Sequence, residues 1–193
     1  MKKLLLIATL SVCSLLVKAE DANEIIILQD GKAQSKLNIA RNAKLDEVTD
    51  DSDKKAFSLK LGGINDKHGG YVYTKLPNEL TEFDADAIEI EMKGNKGNNF
   101  APVLLTGNND KLYYCWKGNR SSWKARMPVF KNEWRKYTFY AKDFVAQQDP
   151  DKKLKNFNGS IWLKIAIGST VKVYKKTVTV MISSIKFKRS KKK

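Results

Sequence analysis

Between positions 111 and 126 the chain gathers Tyr113, Tyr114, Trp116 and Trp123 with Lys111, Lys117, Arg120, Lys124 and Arg126. Flat aromatic rings offer a surface to the C–H face of a sugar ring. Guanidinium groups donate to hydroxyls or grip a carboxylate or sulfate in bidentate fashion. This chemistry singles out Tyr114, Trp116 and Trp123 as stacking surfaces and Arg120 and Arg126 as donors. The segment reads as two strands around a Gly118-Asn119 turn. Alternation places Leu112, Tyr114 and Trp116 on one face and Tyr113, Cys115 and Lys117 on the other. The plainer reading of the same aromatics is that they fill or edge a sandwich core, since aromatic side chains carry much of the burial in small β domains.

Other reactive arrangements are thinner. Glu89 and Glu91 point to one side of their strand, about 7 Å apart by strand rise, and glycosidases do use paired carboxylates. Their apolar neighbours lie on the opposite face, however, so the pair reads as a solvated strand surface. Asp46, Glu47, Asp50, Asp51 and Asp53 concentrate acid without the spacing of a calcium loop, and read as a solvated acidic loop. His68 is the single histidine, which excludes a multi-histidine zinc centre and leaves a Ser-His-Asp or Cys-His assembly without support. Neither a phosphate-binding loop nor a dinucleotide fingerprint occurs. No catalytic residue and no metal ligand is assigned.

The elements that would position these residues are strands. Phe57, Leu59 and Leu61 alternate with polar neighbours, as do Ile88, Ile90 and Met92, then Tyr137, Phe139 and Ala141, then Ile161, Leu163, Ile165 and Ile167. Each is the period-2 pattern of a strand with one buried face. Clusters of Gly and Asn punctuate them, which predicts an all-β fold, an antiparallel β-sandwich or barrel. Short helical candidates cover 37–45 and a turn near 142–147. Val178, Val180 and Ile182 keep one parity and Ile185 and Phe187 the other, so a β-bulge is expected at Ser183-Ser184. No repeat or linker divides the chain, which is short enough for a single domain.

Residues 1–19 combine Lys2 and Lys3, an apolar run over 4–17 and a small-residue site at Ala19, the pattern of a cleaved secretory signal. The run is shorter than the ~18 residues that span a bilayer. The expected organisation is a signal peptide at 1–19, a β-sandwich over 20–187 and a basic tail at 188–193, with the mature chain secreted or periplasmic and lacking a transmembrane segment. Lipidation at Cys13 is disfavoured because Val12 is not small. Loss of Cys13 with the signal leaves Cys115 alone, so no intramolecular disulfide forms and Cys115 reads as a buried small hydrophobe. The formal charge of +15 draws polyanions to the surface, although a lysine-rich surface also serves solubility.

Three stretches carry a family resemblance. Residues 84–94 (DADAIEIEMKG), 133–144 (EWRKYTFYAKDF) and 180–187 (VMISSIKF) resemble, in the right order, strands of galactose-binding-like jelly rolls. The closest groups are the family-eleven carbohydrate-binding modules and the domain of the complex I intermediate-associated protein. The resemblance implies a jelly-roll, galactose-binding-domain-like sandwich and makes Trp134 a packing tryptophan. Some members hold a structural calcium, but Ser183 stands where the family commonly has Asp, which argues against that ion and leaves no cofactor expected.

Two function classes follow. The leading one is a noncatalytic carbohydrate-binding module, its ligand a polysaccharide and, given the charge, an acidic one. The alternative is an interaction or assembly module that presents the same residues to a protein partner. A jelly-roll polysaccharide lyase using tyrosine, arginine and His68 ranks below both. No specific nucleic-acid partner is expected.

Overall fold

The structure, a computed structural model, describes residues 23–40, 43–61, 70–94, 98–106, 111–115, 131–146, 149, 151–169 and 178–189. The expected signal segment and residues 190–193 lie outside the described residues.

The alternating patterns become strands. In chain order they are β1 (Glu24–Gln29), β2 (Lys32–Ala33), β3 (Asn38–Ala40), β4 (Ala43–Thr49), β5 (Lys55–Leu61), β6 (Gly70–Lys75) and β7 (Ala87–Gly94). Then come β8 (Asn98–Thr106), β9 (Lys111–Cys115), β10 (Arg135–Tyr140), β11 (Phe144–Ala146), β12 (Ser160–Ser169) and β13 (Val178–Lys188). All their pairings are antiparallel. One sheet of seven strands runs β10-β7-β13-β1-β2, with β5 also on β13 and β4 on β5; the other, of six, runs β11-β9-β8-β12-β6-β3. No α-helix occurs among the described residues, only 3₁₀ turns such as Asn78–Thr81 and Ala141–Asp143. The helix expected over 37–45 is a misreading. Ile39 pairs across Val72 and Leu45 across Leu59, so sheet pairing overrides a weak local preference for helix. The turn expected near 142–147 is the second 3₁₀ turn, followed at once by β11.

The buried set is the one that alternation selects. Ile88, Ile90 and Met92 are fully buried on β7, as are Val180 and Ile182 on β13. The β13–β7 register slips between Ile182 and Ser184. That bulge returns Ile185 and Phe187 to the core after the change of parity, as the sequence requires. It also lets β13 serve two partners on one side, β5 before the bulge and β1 after it. A second bulge was not expected. Between Ser160 and Trp162 the β12–β8 ladder skips Ile161, which is 37% exposed, so Leu163 and Ile165 point inward without it. Phe157 packs edge-on against Phe144 and Phe187, each at 5.4 Å between ring centroids, and joins the two sheets. Burial of each such side chain is worth roughly 1.5–3 kcal/mol. The β1–β2 turn needs Gly31: its φ is +70°, and a Cβ there would stand 3.2 Å from the backbone nitrogen of Ala56.

Candidate functional site

With the inner faces committed to the core, chemistry is left to the two outer faces. On the six-stranded sheet Val72, Thr74, Leu163 and Ile165 are buried, while Tyr73 and Trp162 are half-buried and Lys75 is exposed. The pairing register aligns positions across the sheet in rows. One row runs Asn38, Tyr73, Lys164, Val103, Tyr114, Val145. The next runs Lys75, Trp162, Leu105, Leu112, and a third Ala40, Tyr71, Ala166, Ala101. None of these positions is Asp or Glu. Tyr73 and Trp162 touch across a diagonal of the β6–β12 ladder, with ring centroids 5.7 Å apart and planes tilted by 55°, within reach for diagonal neighbours on a sheet.

Of the five residues singled out in the sequence, Tyr114 falls in the first row, in register with half-buried Val145. Tyr113 and Cys115 occupy the opposite phase, in register with buried Ala146 and Phe144. Trp116, Arg120, Trp123 and Arg126 lie outside the described residues, as do the expected Gly118-Asn119 turn and His68. The first arm of the expected hairpin is β9, which pairs with β8 and β11. Sequence reasoning singled out neither Tyr73 nor Trp162. The signal was in the alternation itself, which puts Tyr73 out of phase with Val72 and Trp162 out of phase with Leu163.

The outer face of the seven-stranded sheet is built of charge. Asp50, at the end of β4, has a side chain only 3% exposed. Its Oδ1 accepts from the Ser52 hydroxyl at 2.6 Å, the Ser52 N–H at 2.9 Å and the Lys54 N–H at 3.0 Å, and its Oδ2 accepts from the Trp134 indole N–H. Lys54 donates to Glu91 at 2.6 Å and lies 4.9 Å from the centre of the Trp134 ring. Ser183, the extra residue of the β13 bulge, donates its hydroxyl to the other Glu91 oxygen at 2.7 Å. Lys188 pairs with Glu89 at 3.0 Å and Lys186 with Glu24 at 2.8 Å.

These contacts correct two expectations. Glu89 and Glu91 are not a solvated pair: their side chains are 17% and 16% exposed and each is held by an ammonium. Asp50 is not part of a solvated loop, although Asp51 and Asp53 are exposed as expected. The Ser52 and Trp134 hydrogen bonds hold the Asp50 carboxyl well below the usual carboxylate range. For Glu91, burial pushes the carboxyl up, but the Lys54 and Ser183 hydrogen bonds and the Lys54 and Lys136 charges outweigh it, so the net shift is down. Trp134, which the resemblance made a packing tryptophan, is half-buried outside the core cluster, lies under the Lys54 ammonium and tethers the β4–β5 turn through Asp50. Among the described residues no three His, Cys, Asp or Glu side chains are grouped to hold a metal ion. None of the described helices is long and apolar enough to cross a membrane.

Two antiparallel sheets packed face to face, with strand order β11-β9-β8-β12-β6-β3 in one and a bulged closing strand in the other, define a galactose-binding-like jelly roll of the kind found in carbohydrate-binding modules. Solved structures bear this out. The chain is similar to the family 11 carbohydrate-binding module of a cellulosomal cellulase of Clostridium thermocellum, at a TM-score of 0.55 and 12% identity over 86% of this chain and 95% of that one. The same organism's family 11 module in complex with a β-1,3-1,4-mixed-linked tetrasaccharide gives 0.54 at 11% identity over 86% and 96%. A family 29 module from Piromyces equi gives 0.51 at 10% identity over 86% and 90%. No protein-family model matches the chain, and no curated protein sequence matches it. At these identities the likeness establishes the fold.

Proposed function

We propose that this chain is a noncatalytic carbohydrate-binding module whose sugar-binding surface is the outer face of the six-stranded sheet. The observation that carries this reading is the Tyr73–Trp162 ring pair, half-buried on a face whose register rows hold no acidic residue. Rings held on a rigid sheet present apolar surface at little entropic cost, and the face of either ring can stack on a pyranose. The family 11 module solved with a mixed-linked tetrasaccharide supports a glycan as the ligand class. In this reading Tyr114 extends the platform, Trp116 and Trp123 add stacking surfaces, and Arg120 and Arg126 supply donors. The chain is exported by cleavage after Ala19 and holds no structural calcium. The formal charge of +15 for the full sequence, of which only Lys2, Lys3 and Lys18 leave with the signal, favours acidic polysaccharides.

Binding of the full chain to neutral and acidic polysaccharides at low and high salt tests this, with Trp162→Ala, Tyr73→Ala, Trp116→Ala and Trp123→Ala alongside. Salt-resistant binding that weakens about 30-fold in Trp162→Ala, the size expected of an aromatic anchor, supports the reading. Salt-sensitive binding to every polyanion, unchanged in all four variants, overturns it.

A further inference from the structure

We infer that Asn158 is a site of spontaneous covalent modification, where the side-chain amide is lost without an enzyme to leave an aspartyl or isoaspartyl residue, and that the isoaspartyl form loosens the start of β12. The inference stands apart from the carbohydrate reading. Asn158-Gly159 is the one Asn-Gly pair in the sequence. It forms the centre of a turn over 157–160, closed by the Ser160 N–H on the Phe157 carbonyl at 3.1 Å. Gly159 has a φ of +74°, the left-handed value that a type II turn asks of its third residue. In such a pair the glycine backbone nitrogen, after losing its proton to water, attacks Cγ of the asparagine. The Cγ–Nδ2 bond breaks and ammonia departs. Water then opens the five-membered succinimide, at Cγ to give an aspartyl residue or at the α-carbonyl to give an isoaspartyl one. An amide and a water have become a carboxylate and an ammonium, and the second product carries one more methylene in its backbone.

Neighbouring Asn156 shows how the fold can block this reaction. Its amide donates to Asp84 at 2.7 Å, and the nitrogen that would attack it, that of buried Phe157, donates to the Ala85 carbonyl at 2.9 Å. Asn158 has neither restraint. It is exposed, and its backbone N–H is engaged by Asn156 Oδ1 at 3.2 Å, but among the described residues nothing bonds its side-chain amide or the Gly159 N–H. A Cβ placed on Gly159 would meet nothing within 4 Å, so the glycine is open to approach. The ends of the turn, by contrast, are fixed. Phe157 is fully buried against Phe144 and Phe187, and Ser160, 4% exposed, begins β12 opposite Thr106. An extra methylene between these anchors must displace one of them, whereas an aspartyl residue suits the turn as asparagine does.

The test is prolonged incubation of the full chain, folded and in urea, followed by mass spectrometry of the tryptic fragment 156–164, which carries both asparagines. In the folded chain position 158 is expected to exchange amide for acid at no less than about a fifth of its rate in urea, because the turn gives it little protection. Position 156 should stay intact. A lower rate at 158 in the folded chain, or equal reaction at the two positions, overturns the inference. The isoaspartyl form, separated by chromatography, is expected to melt about 5 °C below the unmodified chain. Asn158→Gln would have to close a six-membered ring and should keep its melting temperature through the same incubation. An isoaspartyl form that melts with the unmodified chain, or a decline in Asn158→Gln equal to the wild type's, overturns the effect on β12.

Discussion

The two outer faces of the sandwich differ in what they are built from: ion pairs on one, an aromatic ring pair on the other. On the seven-stranded sheet ammonium and carboxylate alternate and close on one another, from Lys54 and Glu91 through Lys188 and Glu89 to Lys186 and Glu24. On the six-stranded sheet Tyr73 and Trp162 are half-buried and touch across the β6–β12 ladder, in register rows that contain no Asp or Glu. The tryptophans divide likewise: Trp134 spends its indole N–H on Asp50, whereas Trp162 meets only another ring among its described contacts. A face whose polar groups are mutually satisfied has little to offer a ligand, while aromatic rings at a sheet surface offer a stacking site.

Exchanging the two tryptophans for alanine should separate these roles most widely. Trp162→Ala is expected to weaken polysaccharide binding about 30-fold with little change in unfolding. Trp134→Ala should leave binding intact and cost about 2–3 kcal/mol in urea unfolding, below the range for a fully buried tryptophan because its side chain is only half-buried. Next, Lys54→Met strips Glu91 of its ammonium. With side chains 30% and 16% exposed, the loss should be about 1–2 kcal/mol by the same measurement, discounted for solvent screening.

Acid should weaken the charged face. Asp50 and Glu91 are held below their ordinary values of 3.8 and 4.5, so in acid the unfolded chain binds more protons than the folded one. Their stabilisation is complete above those ordinary values and is lost progressively as pH falls from them through the lower values of the folded chain. The melting temperature is expected to be level from about pH 5 to 8 and to drop below about pH 4, and the drop should be shallower in Asp50→Asn/Glu91→Gln. A slope as steep as the wild type's in that variant would assign acid sensitivity elsewhere. The smallest effect belongs to Glu133→Gln, which breaks an ion pair with Arg135 whose partners are 54% and 43% exposed. A change of no more than about 0.5 kcal/mol is expected there.

What the sequence disclosed follows from where each signal lies. Alternation within one strand is local, so the inward residues of β7 and the bulge at Ser183 could be read directly. Ile161 misled because its parity is that of Leu163 and Ile165, and only the partner strand β8 shows that the ladder skips it. Residues 37–45 looked helical because β3 and β4 are short and closely spaced, and their pairing comes from β6 and β5 elsewhere in the chain. Asp50 resembled its exposed neighbours because its partner Trp134 is 84 positions away. The Tyr73–Trp162 pair escaped notice for the same reason: either residue alone is an ordinary outward aromatic, and the register makes them a surface.

The central claim, that the six-stranded sheet carries the sugar face, is tested most directly by following the indole N–H resonances of the four tryptophans in the full chain during titration with alginate and mixed-linked β-glucan oligosaccharides. Saturable movement of the Trp162 signal, with the Trp134 signal held in place by Asp50, is the predicted result. Movement of Trp134 while Trp162 stays still would put the ligand on the charged face and contradict the account.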